Sequence, residues 1–269
     1  ESKRLIEQYH RGFDDRIRYA VTPRFAVSCT EACLRGAREL ADAHDGVRIH
    51  THASENRDEI ETVEERTGMR NVEWLDEVGL TGPDVTLAHC VWTDERERTI
   101  LEDTDTAVVH CPSSNMKLAS GVAPIPDYLD RGLTVALGND GPPCNNTLDP
   151  FTEMRQAALL TKVQHLDATK LPAETVFRMA TEHGATASGF DVGVLREERP
   201  ADVIGLSTDT PRATPIHDPL SHLVFAAHGD DVRLTMVDGD VVYDEGSFPA
   251  VDDRQIRESA QRYADALGE

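Results

Sequence analysis

Five short apolar runs, each followed by a helical segment, limit the architectures open to this chain. The runs are Ile17–Val21, Val47–His50, Val85–Ala88, Thr106–Val109 and Thr134–Leu137. Between and after them, apolar residues recur at helical spacing over Thr30–His44, Glu55–Arg66, Val72–Val78, Asp94–Glu102, Pro126–Arg131 and Pro150–Leu160. Short apolar strands alternating with helices predict a parallel sheet covered by helices. After Leu171 the pattern changes. Two helical segments, Pro172–Ala180 and Ala185–Gly189, lead to extended segments at Ala201–Leu206 and Val232–Tyr243 and to a last helix over Asp252–Leu267. The second extended segment folds back at Asp238-Gly239, a hairpin signal.

In parallel α/β sheets the chemistry collects at the carboxyl ends of the strands. The second run leads into His50-Thr51-His52-Ala53-Ser54-Glu55 and the third into His89-Cys90-Val91-Trp92. The fourth leads into His110-Cys111-Pro112-Ser113-Ser114-Asn115, and the fifth into Gly138-Asn139-Asp140-Gly141. Any one of these is ordinary alone, since Asp-Gly is a common turn and a carboxylate suits the first turn of a helix. Together they put imidazoles and carboxylates on one rim, a donor set suited to a divalent transition metal, with Glu55 available for proton transfer.

The segments His52-Ala-Ser-Glu55, Leu87-Ala-His89-Cys, His110-Cys-Pro-Ser-Ser-Asn115-Met-Lys-Leu and Gly138-Asn-Asp140-Gly resemble the amidohydrolase superfamily. The likeness is greatest to its aminohydrolase branch, which includes deaminases of 5′-deoxyadenosine, methylthioadenosine and S-adenosylhomocysteine. It runs from about Arg18 to Asp244 and includes Ala201-Asp-Val-Ile204 and Val237-Asp-Gly-Asp-Val-Val242. It implies a (β/α)8 barrel with a small β-sandwich, and one divalent metal ion per site, zinc with iron as the alternative. His52 and Asp140 would be ligands, Glu55 the proton shuttle, and His89, with Asp140, would activate the metal-bound water. Arg24, Glu55 and Trp92 are expected to meet the substrate. The segment around Asp140 favours a 6-aminopurine nucleoside that loses ammonia; guanine or 8-oxoguanine deamination and s-triazine hydrolysis are the alternatives. A metal-free scaffold is the reading from another class. The family also implies a homo-oligomer.

One feature departs from that pattern. The family has a metal-binding His-x-His after its first strand, and the sole His-x-His here, His50-x-His52, belongs to the later motif. The five strand–helix units begin at the family's fourth. The expectation is a portion of a ~420–450-residue barrel protein, with the first three units missing. The competing expectation is a divergent site in which His50 or His110 supplies ligands. The units are expected to divide into a partial barrel over residues 1–199, sandwich strands over 200–246 and a terminal helix over 247–269.

Acidic residues number 49 and basic residues 27 in 269, for a net charge of −22. That charge argues against nucleic-acid binding, which needs clustered Lys and Arg. There is no apolar run of the ~18 residues a membrane helix requires. Five cysteines without a Cys-x-x-Cys, and no basic, apolar leader, are those expected of a cytoplasmic protein. Acids spread along the chain repel one another at low salt, and screening relieves that repulsion. The melting temperature is therefore expected to rise between low and molar KCl; a flat or falling curve would remove the halophilic reading.

Overall fold

The computed structural model describes residues 1–267. Five strands form one parallel sheet: β1 Ala20–Val21, β2 Arg48–Ala53, β3 Val85–His89, β4 Ala107–His110 and β5 Val135–Leu137, in that spatial order. Every strand foreseen in the sequence is present, with two changes of length. β1 shrinks to two residues. β2 runs on to Ala53 because the Arg24–Phe25 segment lies alongside it: the His52 N–H donates to the Arg24 carbonyl at 3.2 Å, and Phe25 bridges His52 in parallel register. His50 and His52 are thus strand residues on the same face, two apart.

Side-chain caps fix where the helices begin. The Thr30 hydroxyl accepts from the Cys33 N–H to start the helix Glu31–Asp42, and Asn56 accepts from the Glu59 N–H to start Arg57–Thr67. Asp94 and Glu97 form a reciprocal capping box before Glu95–Asp103, each such cap contributing about 1 kcal/mol. With Asn56 as the cap, Glu55 is left outside the helix, in the strand–helix connection. Pro112–Lys117 and Pro219–Phe225 are among the short helices not anticipated; each begins with proline at its first position, where the missing N–H costs nothing.

The sheet is covered on both faces. Strand register places Ile49, Val85, Leu87, Val108 and Val135 on one face, where they join Leu34, Leu75 and Leu101 from the flanking helices in the main core. All eight of these side chains are fully buried, each worth about 1.5–3 kcal/mol. On the opposite face Ala107 and Ala136 pack with Ala187 from the helix Glu182–Ser188, and the Thr86 hydroxyl donates to the Ala187 carbonyl at 3.0 Å. Small residues at this contact let a helix approach close to the strands. A parallel sheet buried on both faces fits a TIM-like α/β barrel.

A second sheet is antiparallel, in the order β6 (Val203–Leu206), β7 (Val232–Val237), β8 (Asp240–Asp244). The hairpin turns at Asp238-Gly239, both with positive φ (49° and 83°), as the primed two-residue turns require. Of the β-sandwich implied by resemblance, the described residues contain this single layer. The helix Asp253–Leu267 follows, with no buried residue. Among the described residues no helix is long and apolar enough to cross a membrane.

β3 ends in a tight left-handed turn at His89 (φ 73°) and Cys90 (φ 45°). Tyr128, wholly buried, braces it from below: its hydroxyl donates to the Cys90 carbonyl at 2.6 Å and so accepts from Thr93, also at 2.6 Å. Tyr128→Phe leaves that carbonyl without its donor and is expected to destabilise the fold by about 1–3 kcal/mol. A melting temperature equal to that of the unaltered protein would show that the turn holds without this bond.

Candidate metal centre

Three of the strand-end residues converge. His52, His89 and Asp140 each present one ligand atom, and these atoms lie within 4.8 Å of one another. The rings of His52 and His89 are stacked with centroids 5.3 Å apart. Three protein donors of this kind, with a further position left for water or substrate, are what a catalytic zinc uses. Resemblance implied two ligands and gave His89 the activation of water; the structure brings a ring nitrogen of His89 close enough to the other two for either role. His50 and His110 lie outside it.

His89 reaches this position through its backbone. In the β2–β3 register Ala53 sits opposite His89, and Ala53 faces the helix-side core. A regular strand would send the imidazole there too. The left-handed conformation at His89 and Cys90 turns it toward His52 instead. Asp140 is also left-handed (φ 58°). Such conformations cost an L-residue about 1–2 kcal/mol each and persist where surrounding bonds over-determine them. Here the Cys90 N–H donates to the Ala53 carbonyl at 2.9 Å, and the Val91 and Trp92 N–H groups both donate to the Ser54 carbonyl at 3.0 Å.

Each donor is oriented by a group outside the set. His52 Nδ1 lies 2.8 Å from the Arg24 carbonyl and so carries the proton, leaving Nε2 free. His89 Nδ1 lies 2.8 Å from Asn115 Oδ1, and its Nε2 is buried with no hydrogen-bond partner. The Ser114 hydroxyl donates to Asp140 Oδ2 at 2.6 Å, and the Gly141 N–H donates to Oδ1 at 2.7 Å. A ring that donates from one nitrogen and leaves the other bare and buried is the usual arrangement of a metal-bound histidine. The residues present therefore fit a divalent metal.

The electrostatics agree. Burial, and then the neighbouring His89, lower the pKa of His52, so its neutral, ligating form extends to lower pH. Burial alone would raise Asp140, but the Ser114 and Gly141 hydrogen bonds outweigh it and hold the carboxyl below its ordinary value, ionised and ready to bind a cation. His50 and His110 are lowered further, to about 4 and about 3, chiefly by burial. Both are neutral side chains of the interior.

Glu55 stands beside this group. Its Oε2 is 3.9 Å from His89 Nε2, and its Oε1 accepts from the Ser120 hydroxyl at 3.0 Å. Beneath it lies a buried carboxylate that sequence reasoning missed. Glu59 Oε2 accepts the Glu55 N–H at 2.7 Å, and Oε1 accepts Asn71 Nδ2 at 2.5 Å. Burial raises the pKa of Glu59. The sequence signal available was its spacing, three residues after the cap Asn56 and four after Glu55.

A cavity of about 630 Å³ opens in front of His52 and Glu55, with Arg24, Phe25, Trp92 and Ser120 among its walls. Arg24 and Trp92, expected from the resemblance to meet the substrate, both line this cavity. Trp92 is fixed by its Nε1–H bond to the Ser120 carbonyl at 2.7 Å, and its ring lies against Gly121, where a Cβ would come within 2.8 Å of it. Asn145 Nδ2 donates to the Asn139 carbonyl and to Glu153, holding the Asp140 loop.

The protein is expected to take up about one divalent metal ion per chain. Asn115→Ala, which frees the His89 ring, is expected to weaken metal binding by about 10- to 100-fold, read by competition with a chromogenic chelator. Unchanged affinity would remove His89 from the ligand set.

The profile of the Amidohydrolase family matches residues 1–242. The 5′-deoxyadenosine deaminase of Methanothermobacter thermautotrophicus is 44% identical over 99% of this chain. The 5-methylthioadenosine/S-adenosylhomocysteine deaminase of Haloarcula marismortui is 42% identical over 100% of it. The chain spans 62% of the length of each. Among solved structures, an adenosine deaminase from Xanthomonas campestris with bound zinc superposes with a TM-score of 0.93 at 30% identity, over 99% of this chain and 60% of that one. The chain belongs to the amidohydrolase family.

Proposed function

We propose that the protein is a metal-dependent hydrolytic deaminase of a 6-aminopurine nucleoside of the 5′-deoxyadenosine, methylthioadenosine or S-adenosylhomocysteine type. The observation that carries this reading is the placement of Glu55, with one carboxylate oxygen 3.9 Å from His89 and the cavity in front of it. The names of the two deaminase relatives point the same way. So does the cavity, whose ~630 Å³ lies within the range that holds small organic ligands.

His52, His89 and Asp140 would hold the metal, zinc in the first instance. When bound, such an ion supplies a nucleophile at neutral pH by lowering the pKa of its water to about 7. The remaining work falls to side chains of this chain. Glu55 is the proton carrier: its carboxyl donates to a ring nitrogen beside the amino-bearing carbon, regains a proton from the hydroxyl added at that carbon, and passes it to the amino group, which departs as ammonia. The Ser120 hydroxyl holds the Glu55 carboxylate toward His89. Asp140, kept ionised by the Ser114 and Gly141 hydrogen bonds to its two oxygens, orients the attacking water. Trp92 and Phe25 offer apolar walls for the base, and Arg24 a guanidinium for its polar edge. In this reading residues 1–199 carry the catalytic barrel portion, 200–246 the small β unit and 247–269 the closing helix.

The test is ammonia release from a panel of purine nucleosides by the zinc-loaded protein and its Glu55→Gln variant. The variant is expected to lose about 10²- to 10⁴-fold in kcat while binding the same amount of metal. Near-full activity in the variant would overturn the role of Glu55. No release from any adenine nucleoside would overturn the deaminase reading.

A further inference from the structure

Among the described residues three glutamates are buried, Glu59, Glu97 and Glu153. A carboxylate taken out of water is costly unless its oxygens are bonded. Glu97 has the Arg70 guanidinium at 2.9 Å. The other two are met by N–H donors. Glu153 takes the Ser113 N–H and Asn145 Nδ2 in the frame around Asp140. Glu59 takes the Glu55 N–H at Oε2 and Asn71 Nδ2 at Oε1. It is 5% exposed, and its carboxylate does no other visible work.

What Glu59 holds is one edge of a peptide plane. The Ser54 carbonyl and the Glu55 N–H belong to the same planar unit. The carbonyl accepts from the Val91 and Trp92 N–H groups at 3.0 Å. The N–H donates the opposite way, to Glu59 at 2.7 Å. Ser54 is wholly buried and left-handed (φ 51°), a conformation an L-residue keeps where its surroundings impose it. This plane leads directly into the Cα of Glu55, so its tilt sets where the Glu55 carboxyl points. The bonds then close a ring. Arg70, the neighbour of Asn71, donates from its guanidinium to the Trp92 carbonyl at 2.7 Å, and the Trp92 N–H returns to Ser54. The Val72 N–H fastens the same segment to Glu97 Oε1 at 2.9 Å.

Building on the deaminase reading, we infer that Glu59 is a positioning residue: its carboxylate clamps the Ser54–Glu55 peptide plane against the turn after β3 and so aims the Glu55 carboxyl at the metal centre. The clamp works by accepting hydrogen bonds at a fixed reach, and its charge is incidental. Asn71 Oδ1 is buried without a partner. An amide in place of the Glu59 carboxylate can therefore keep the Glu55 N–H on its oxygen, while the Asn71 amide turns over to accept from its nitrogen.

The experiment measures kcat, KM for 5′-deoxyadenosine and bound metal in the metal-loaded protein and in its Glu59→Met, Glu59→Asp and Glu59→Gln variants. Glu59→Met accepts nothing and is expected to lower kcat by about 10- to 100-fold, the loss that a misplacement of about 1 Å produces. KM and metal content are expected to stay close to those of the unaltered protein. Glu59→Asp keeps the charge but draws the oxygens back by one methylene, and is expected to lose as much. Glu59→Gln keeps length and acceptor and is expected to retain most of kcat. Full kcat in Glu59→Met would overturn the inference, as would an active Glu59→Asp beside an inactive Glu59→Gln. If Glu59→Met does not fold, the comparison of Asp with Gln decides. Absence of turnover in the unaltered protein would count against the deaminase reading alone. Amide hydrogen exchange at Glu55 then tests the clamp: faster exchange in Glu59→Asp with protection kept in Glu59→Gln supports it, and equal exchange in both variants and the unaltered protein refutes it.

Discussion

Two imidazoles and a carboxylate can share one small volume because each is tied to a group that takes no part in the set. The Arg24 carbonyl holds His52, the Asn115 amide holds His89, and the Ser114 hydroxyl holds Asp140. Two of these three anchors are consecutive residues of one six-residue helix, Pro112–Lys117. That helix joins ligands from two different strands, β3 and the loop after β5. Ser114 and Asn115 are fully buried, so a shift of the helix would disturb both donors together. The Ser113 N–H donates to Glu153, and Glu153 also accepts from Asn145 of the Asp140 loop. The centre is thus braced through a second layer of hydrogen-bonded side chains.

The arrangement has a cost that the fold offsets elsewhere. Burial disfavours charge on His52, and left-handed backbone at His89, Cys90 and Asp140 opposes the chain's own preference. Each term is of order 1–2 kcal/mol. Against them stand the deep core on the helix side of the sheet and the Tyr128 brace under Cys90. A bound cation would add to that side of the balance, because it binds the folded chain far better than the unfolded one. Strain gathered at the donors and stability gathered in the aliphatic core are parts of one design, and the sheet is the rigid body that connects them.

The alternation of apolar runs with helices was enough to place the five parallel strands, and the strand-end principle marked a rim carrying His50, His52, Glu55, His89, His110 and Asp140, among which the family resemblance singled out His52, Glu55, His89 and Asp140. Both rest on period and position, which a sequence displays directly. What escaped reading depends on backbone conformation and on contacts between distant residues. Strand alternation assigns His89 to the core side, and nothing in His89-Cys90 announces a left-handed turn. Hence its turn toward His52 was not legible. The helix Pro112–Lys117 was read as loop because its six residues include two serines and an asparagine, which suit turns as well as helix starts. Glu59 looked like one more surface acid of an acidic helix; its burial follows from Asn71, twelve residues further on.

Acidity itself sharpens the reading of the cavity. When carboxylates outnumber cations almost two to one, most arginines are drawn into pairs, and the surface charge that remains is negative. Such a surface repels anionic ligands at long range, less so as salt screens it. Among the described residues Arg24 and Arg57 are kept out of such pairs by aromatic stacking, and their donor edges remain open to the cavity they line.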